Sequence, residues 1–556
     1  MWKKIRNKKF ALGLALLAAS MAFAPTMTSA ADGIAATQSE RPAPPDWSGN
    51  GQPPAPPTDE NGNPLPPPDG HGGGHAQNDR PAPPSGDGNG QPPAPPTDEN
   101  GNPLPPPDGH GGGHAQNGRP SAPPSGDGSG QPPTPPNGHG QPPQGMEGGV
   151  SGRGQDAKSA DNLSASCIWD GKEEAVEGKT LLADAANESA VLARNGAKLT
   201  LRGATLRKLG DTTSEEDSNF TGQNAVLLAN NSTVVLSDTT LSSAADGANA
   251  IFATGKQASI TVRRVTIRTE GNSSRGLDAT YGGTVTGEAV DIATKGAHCA
   301  ALATDRGEGT VSVTDSRLIT EGEGSPCIYS TGAIAATNTS GTAYGSEIAV
   351  VEGKNSITLD RVDLTGRERN GVMLYQSFSG DADVGTAKFS ARDSKLTNES
   401  GGAMFYVTNT KAEIDLEATI LSTPDGTPLL RAAAGRWGQS GKNGGDVTLT
   451  ATRQTLRGDV EADALSRVTL NLGNNSAWTG ALNADATAKS ATLRLAETAT
   501  WAMTADAYVD TVEDALGDYS NIESNGFSIY YSREKSPTLN GGIYPLPGGG
   551  TLAPRG

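Results

Sequence analysis

Aromatic residues make up only 4% of the 556-residue chain, cysteine occurs 3 times, and 62 acidic residues outnumber 44 lysines and arginines. The formal charge of −18, without a basic patch, argues against nucleic acid as a partner. Calcium-binding glycine-aspartate nonapeptides are absent from the sequence. Beyond the N-terminal leader no apolar run is long enough to cross a bilayer, so no transmembrane segment is expected after leader cleavage. No cysteine follows the leader where a lipid anchor needs one, and no hydrophobic tail suits wall sorting. The stretch after Gly445 is not expected to build a membrane barrel of a dozen alternating strands.

What is present begins with an address. Lys3, Lys4, Arg6, Lys8 and Lys9 precede an apolar run from Phe10 to Ala24, followed by small residues Thr28, Ser29, Ala30 and Ala31. This charged, apolar and small tripartition predicts a secretory signal peptide over residues 1–30 and an exported, secreted or cell-surface protein.

From 32 to 157 the composition changes. Of the 39 prolines, 31 lie between Pro42 and Pro143, in a 39-residue repeat. Arg41-Pro-Ala-Pro-Pro recurs at Arg80, and Thr58-Asp59-Glu60-Asn61-Gly62-Asn63 recurs from Thr97. With almost no large apolar side chains, such a segment cannot offset its ordering entropy by burial. It reads as a disordered, semi-extended spacer or stalk. His71 and His75 recur as His110 and His114, but no cysteine or fixed carboxylate completes a metal site, so neither metal nor cofactor is expected.

From 158 to 531 the pattern is all-β. One phrase recurs: Leu199-Thr-Leu with Leu206, Val234-Val-Leu with Leu241, Ile260-Thr-Val with Ile267, Val311-Ser-Val with Leu318, and Ile357-Thr-Leu with Leu364. Period-2 alternation means strands with one buried face, and a fixed recurrence means stacked units that cannot bury that face alone. The first inward residues run Leu199, Val234, Ile260, Val285, Val311, Ile357, Phe389, Ile414, Val447, Leu470 and Leu493. Short intervals cluster at 23–26 residues, and longer ones, such as the 46 between Val311 and Ile357, are taken as turns carrying loops. The candidate loops are Gly210–Gly222, Gly332–Gly353, Phe378–Val384 and Gly435–Gly445. The pattern predicts a right-handed parallel β-helix of about eleven rungs. Trp478 and Trp501, one interval apart, are expected to stack in a narrowing core. Asn521–Tyr531 is expected to cap the rod, leaving 532–556 as a flexible tail.

The coil phrase over 186–531 resembles right-handed parallel β-helix proteins of the pectin-lyase-like superfamily. It looks most like bacterial surface adhesins and autotransporter passenger domains, though without a C-terminal barrel. That resemblance implies a solenoid fold and leaves function open, because the fold hosts lyases, hydrolases and non-enzymatic adhesins.

Candidate site residues are few. The corner after each inward pair reads Asp238 then Arg264, and later Asp315, Arg361 and Asp393, a ladder of alternating charge rather than a stack of like charges. The strongest catalytic group is Arg275, Asp278, Asp305, Arg306 and Glu308, which reads equally as polar turns. Tyr329, Tyr375 and Tyr406 are the candidate ligand face, with packing beneath loops as the alternative. Cys299 and Cys327 follow similar Gly-containing phrases and are expected to be either bridged or stacked, leaving Cys167 unpaired. The expected function is a non-enzymatic, adhesin-like solenoid with no catalytic residues, binding polysaccharide or a host or bacterial surface glycan. A polysaccharide lyase or glycoside hydrolase is the rival, and a structural envelope protein the third reading.

Overall fold

The computed structural model of the chain describes residues 162–555. The signal peptide expected at 1–30 and the repeat-rich spacer at 32–157 lie outside the described residues. Among the described residues no helix is long and apolar enough to cross a membrane.

The described chain is an all-β parallel solenoid of about 16 turns from residue 164 onward. Each turn contributes one strand to each of three faces. The first face starts at Ser164–Asp170, Glu188–Arg194 and Leu227–Asn230 and runs as one sheet of 12 strands. A bridge from Val460 to Leu482 extends it, and Ala507–Val509, Ile529–Tyr531 and Thr551–Pro554 complete it. The second face runs from Glu173–Glu177 to Thr511–Asp514. The third runs from Thr180–Ala183 to Ile420–Ser422 and resumes at Thr455–Arg457.

Alternation decides which side chains face inward. On the second face Val234, Ile260, Val285 and Val311 stack turn upon turn, each no more than 1% exposed. The corner between second and third faces needs a left-handed residue, and this chain often supplies it without glycine: φ is 52° at Asp238 and at Arg264, 51° at Asp315 and 46° at Asn338. Such a residue costs roughly 1–2 kcal/mol over a right-handed one. Glycine is needed elsewhere for another reason: a Cβ at Gly322 would lie 1.8 Å from the carbonyl oxygen of Gly296 on the turn below.

The rung count corrects the expected eleven, and the causes are visible. Gly332–Gly353 is no loop: Ala333–Thr337, Ser340–Ala343 and Ala349–Glu352 form a complete turn. Its inward positions are Ile334, Ala336 and Gly341, too small to read as an aliphatic phrase, so two turns look like one long one. For the same reason Asp315 and Arg361 are not on adjacent turns, since Asn338 stands between them. In the first turn Glu174 occupies the register position of Leu199, which hides the phrase. Leu449, not Val447, stacks on Ile414, two residues later than the sequence suggests.

The far end also differs. Residues 532–555 are not a flexible tail. Thr551–Pro554 pairs with Ile529–Tyr531, and Leu539, Leu546 and Leu552 are buried, so this segment and not Asn521–Tyr531 closes the rod. Before it, Trp478 and Trp501 stack with ring centroids 5.1 Å apart and planes within 9°. Each indole N–H is satisfied, Trp478 Nε1 donating to Gly458 O and Trp501 Nε1 to Gly480 O, both at 2.9 Å.

Candidate functional site

Five strands of the first face, Leu227–Asn230, Ile251–Thr254, Leu277–Thr280, Leu302–Thr304 and Ala349–Glu352, are buried on both sides, and two insertions lie against this face. The first insertion carries the helix Glu215–Thr221. Ser214 caps it, its hydroxyl accepting from the Asp217 N–H at 3.1 Å, and Gly222 ends it at φ 75°. Its acidic first turn suits the positive end of the helix dipole. The helix end packs on Leu228 and Phe252, which with Leu163, Leu192 and Ala225 form a small apolar cluster outside the main core. The second insertion is the loop from Gln376 to Gly385.

One turn further along the Leu228–Phe252 column the outward residue is Asp278, and there a polar cluster begins. The Arg275 guanidinium sits between two carboxylates, Nη1 at 3.2 Å from Asp278 and Nη2 at 3.0 Å from Asp305 of the next turn. Side-chain exposures are 10% for Arg275, 0% for Asp278 and 4% for Asp305. Asp278 Oδ1 has no hydrogen-bond partner among the described residues. Burial pushes the Asp278 carboxyl up to about 6 against the pull of Arg275. Burial, with Asp278, Asp381 and Glu352 nearby, holds Asp305 well above the carboxylate range despite Arg275. Burial works against the charge on Arg275, but the two carboxylates outweigh it and bind its proton more tightly.

Both insertions are tied to this cluster. Arg275 Nη1 donates to Asn219 of the helix at 3.0 Å, and Thr280 Oγ1 to the Phe220 carbonyl at 3.0 Å. Arg306 lies over the Phe220 ring, 3.8 Å from its centroid, and pairs with Asp381 of the loop at 2.9 Å. Lys354 joins Glu308 at 2.8 Å to Asp383 at 2.9 Å. Beneath the loop, Tyr329 and Tyr375 both donate to Glu352 Oε2, at 2.6 and 2.7 Å, and Ser377 donates to Oε1. Burial pushes both phenols up, and Glu352 adds to the effect.

The five residues singled out as the strongest catalytic group therefore part company. Arg275, Asp278 and Asp305 converge in a closed ion triad, Arg306 bridges two lids, and Glu308 is half exposed at the rim. A general acid must reach its substrate, and the side chains of this triad are almost fully buried. The aromatic face is also redrawn. Tyr329 and Tyr375 meet on Glu352 with their hydroxyls already engaged, while Tyr406 lies three turns from Tyr329 along the same column. No group of three metal-ligating side chains occurs among the described residues.

Cys299 and Cys327 are both free and buried. The register offsets them by two residues: Leu302 stacks on Ile328, so Cys327 lies opposite Ala301 and Cys299 opposite Ser325. The sequence phrases align on Gly324, whereas the fold stacks Gly322 on Gly296. Cys299 stands in a hydroxyl ladder, its sulfur accepting from the Ser274 N–H at 3.0 Å and its own N–H donating to Ser325 Oγ at 2.9 Å.

Glu352, Ser377, Asp381 and the helix residues escaped sequence reasoning. Only the helix left a signal, Ser214 followed by Glu215, Glu216 and Asp217 inside a gap already marked as an insertion. Searches against family models, curated proteins and solved structures returned no match for this chain.

Proposed function

We propose that the protein is an exported, non-enzymatic, adhesin-like solenoid that binds extended glycan chains, held away from its anchoring surface by the spacer at 32–157. The observation that carries this reading is a shallow groove of about 470 Å³ on the second face, lined by Thr358, Asp360, Ser390, Arg392, Asp415 and Thr450. Hydroxyl, carboxylate and guanidinium groups at strand spacing of about 4.8 Å suit the hydroxyl-rich edge of a polysaccharide. Beyond Ala335, Ser312, Thr286 and Thr261 continue the column along the rod, so many weak contacts can sum. The resemblance to surface adhesins of pectin-lyase-like fold points the same way. Full-length protein on a panel of polysaccharides and surface glycans should bind without releasing reducing ends, and Arg392→Ala with Asp415→Ala should weaken binding. Binding unchanged by those substitutions would remove the groove from this role.

A second reading, a polysaccharide hydrolase or lyase, has its own support in the convergence of Asp278 and Asp305 on Arg275 beneath two insertions. It requires the helix and the loop to part. Reducing ends that accumulate with wild type and disappear with Asp305→Asn would favour it over simple binding.

A further inference from the structure

Among the described residues the third face is broken once, between Ile420–Ser422 and Thr455–Arg457. On one side Ile420–Ser422 pairs with Lys395–Asn398, and on the other Thr455–Arg457 pairs with Ala477–Gly480. No backbone hydrogen bond joins the two strands across the break, although the same turns remain paired on the first and second faces. The break is a groove of about 650 Å³. Met404, Leu421 and Leu429 belong to its apolar lining, and Arg453, Arg457, Asp425 and Asp459 to its charged lining. Ile420 at its edge is 64% exposed.

Its width can be read from one side chain. At the same corner on other turns a serine suffices to reach the neighbouring backbone: Val362 N–H donates to Ser394 Oγ at 3.0 Å, and Gln454 N–H to Ser476 Oγ at 3.2 Å. At the break a glutamine is used. Gln454 Oε1 accepts from the Thr419 N–H at 2.8 Å, while Nε2 donates to the Thr419 carbonyl and, at 3.3 Å, to the Thr455 carbonyl. A carboxamide thus does for Thr419 and Thr455 what a peptide group of an intervening strand would do. Beyond it, alternation in a parallel ladder turns the N–H and C=O of Leu421 and Arg457 into the groove.

We propose that this break is a binding site for an extended peptide, which enters as an added strand between the two edges. Backbone pairing would supply affinity and alternate side chains the selectivity. The central inserted residue would point inward between Leu421 and Leu456, so it is aliphatic. The next residue would point outward beside Ser422 and Arg457, so it is acidic. This site is separate from the glycan groove on the second face, and the two stand or fall independently.

The probe is a fluorescent, terminally blocked pentapeptide Ser-Thr-Ile-Glu-Ser, titrated with full-length protein and followed by anisotropy. Saturable binding is expected, together with loss of at least about tenfold in affinity when the peptide backbone is N-methylated at alternate residues. Arg457 is exposed, so Arg457→Glu should fold normally. It should reverse the preference between Glu and Lys at the fourth probe position by about threefold in each direction, the scale of an exposed ion pair. Absence of binding, binding indifferent to N-methylation, or displacement by soluble glycan but not by unlabelled peptide would each overturn the proposal.

Discussion

Arg275 Nη2 lies 3.0 Å from a carboxylate oxygen of Asp305, a residue delivered by the next turn of the solenoid, with side chains only 10% and 4% exposed. Together with Asp278 this makes one cation shared by two buried carboxyl groups. Removing the cation strips two buried carboxyl groups of the partner they share, which costs far more than the pair contributes relative to an apolar replacement. Arg275→Met should therefore destabilise the protein by about 3–5 kcal/mol. The damage should start locally, since Asn219 loses its partner and the helix Glu215–Thr221 loses an anchor. Limited proteolysis should cut near that helix in the variant before any other described segment is cut. Cleavage spread evenly along the rod would mean that the triad does not hold the lid.

Burial holds the Asp278 carboxyl above its ordinary value of 3.8, at about 6. A carboxyl raised in the folded state is protonated there while still ionised in the unfolded chain, so the native state binds the extra proton. The stability it contributes is complete below pH 3.8 and is lost as pH rises through about 6. Between pH 7 and pH 4.5 wild type should gain about 2 kcal/mol from this group relative to Asp278→Asn. Asp238, whose carboxyl is lowered chiefly by its hydrogen bond from Arg264, acts in the opposite sense but only below its ordinary range. Unfolding midpoints of both proteins at pH 4.5 and 7 check this. A constant difference between them would show that Asp278 is ionised throughout.

Thiol chemistry tests the register. Burial pushes Cys299 up to about 11 and Cys327 up to about 12, so neither is a nucleophile near neutral pH. With an aromatic disulfide reagent at pH 8, native protein should titrate at Cys167 first, and all 3 thiols should appear in denaturant without reductant. A single titratable thiol under denaturing conditions would restore a Cys299–Cys327 bridge. Because Cys299 stands between Ser274 and Ser325, Cys299→Ser should change stability by less than about 1 kcal/mol, whereas Cys299→Ala leaves the Ser274 N–H unpaired at about 1–3 kcal/mol.

The solenoid was legible because its physics is local and repeated. Val234, Ile260, Val285 and Val311 each announce a buried strand, and their spacing announces the stack. Legibility failed where a turn meets the same geometry with small or polar side chains, as at Ala336, Gly341 and Glu174. The Arg275–Asp278–Asp305 triad was visible as a set of residues on neighbouring turns, but its burial was not, because the covering helix and loop come from distant insertions. The broken third face left a single sequence mark, Gln454, standing where neighbouring turns place Ser394 and Ser476.

The last prediction concerns the indole stack. Trp478 and Trp501 are 1% and 0% exposed and fill the position that leucines occupy in earlier turns, so replacing Trp478 with alanine opens a cavity that stacked neighbours cannot collapse into. The expected loss is about 3–5 kcal/mol, of which aromatic stacking accounts for about 0.5–1.5 kcal/mol. In a solenoid each turn contacts only its neighbours, so this loss should appear as local opening instead of global unfolding. Native-state hydrogen exchange should show reduced protection from about Thr455 to the C-terminal strand Thr551–Pro554. Turns around Ile260 and Val285 should keep wild-type protection. Near-ultraviolet circular dichroism should lose the signal of a coupled indole pair to the same extent in Trp478→Ala and in Trp501→Ala. Uniform loss of protection along the whole rod would mean that the turns fold as one cooperative block, and the nearest-neighbour picture of this solenoid would then be wrong.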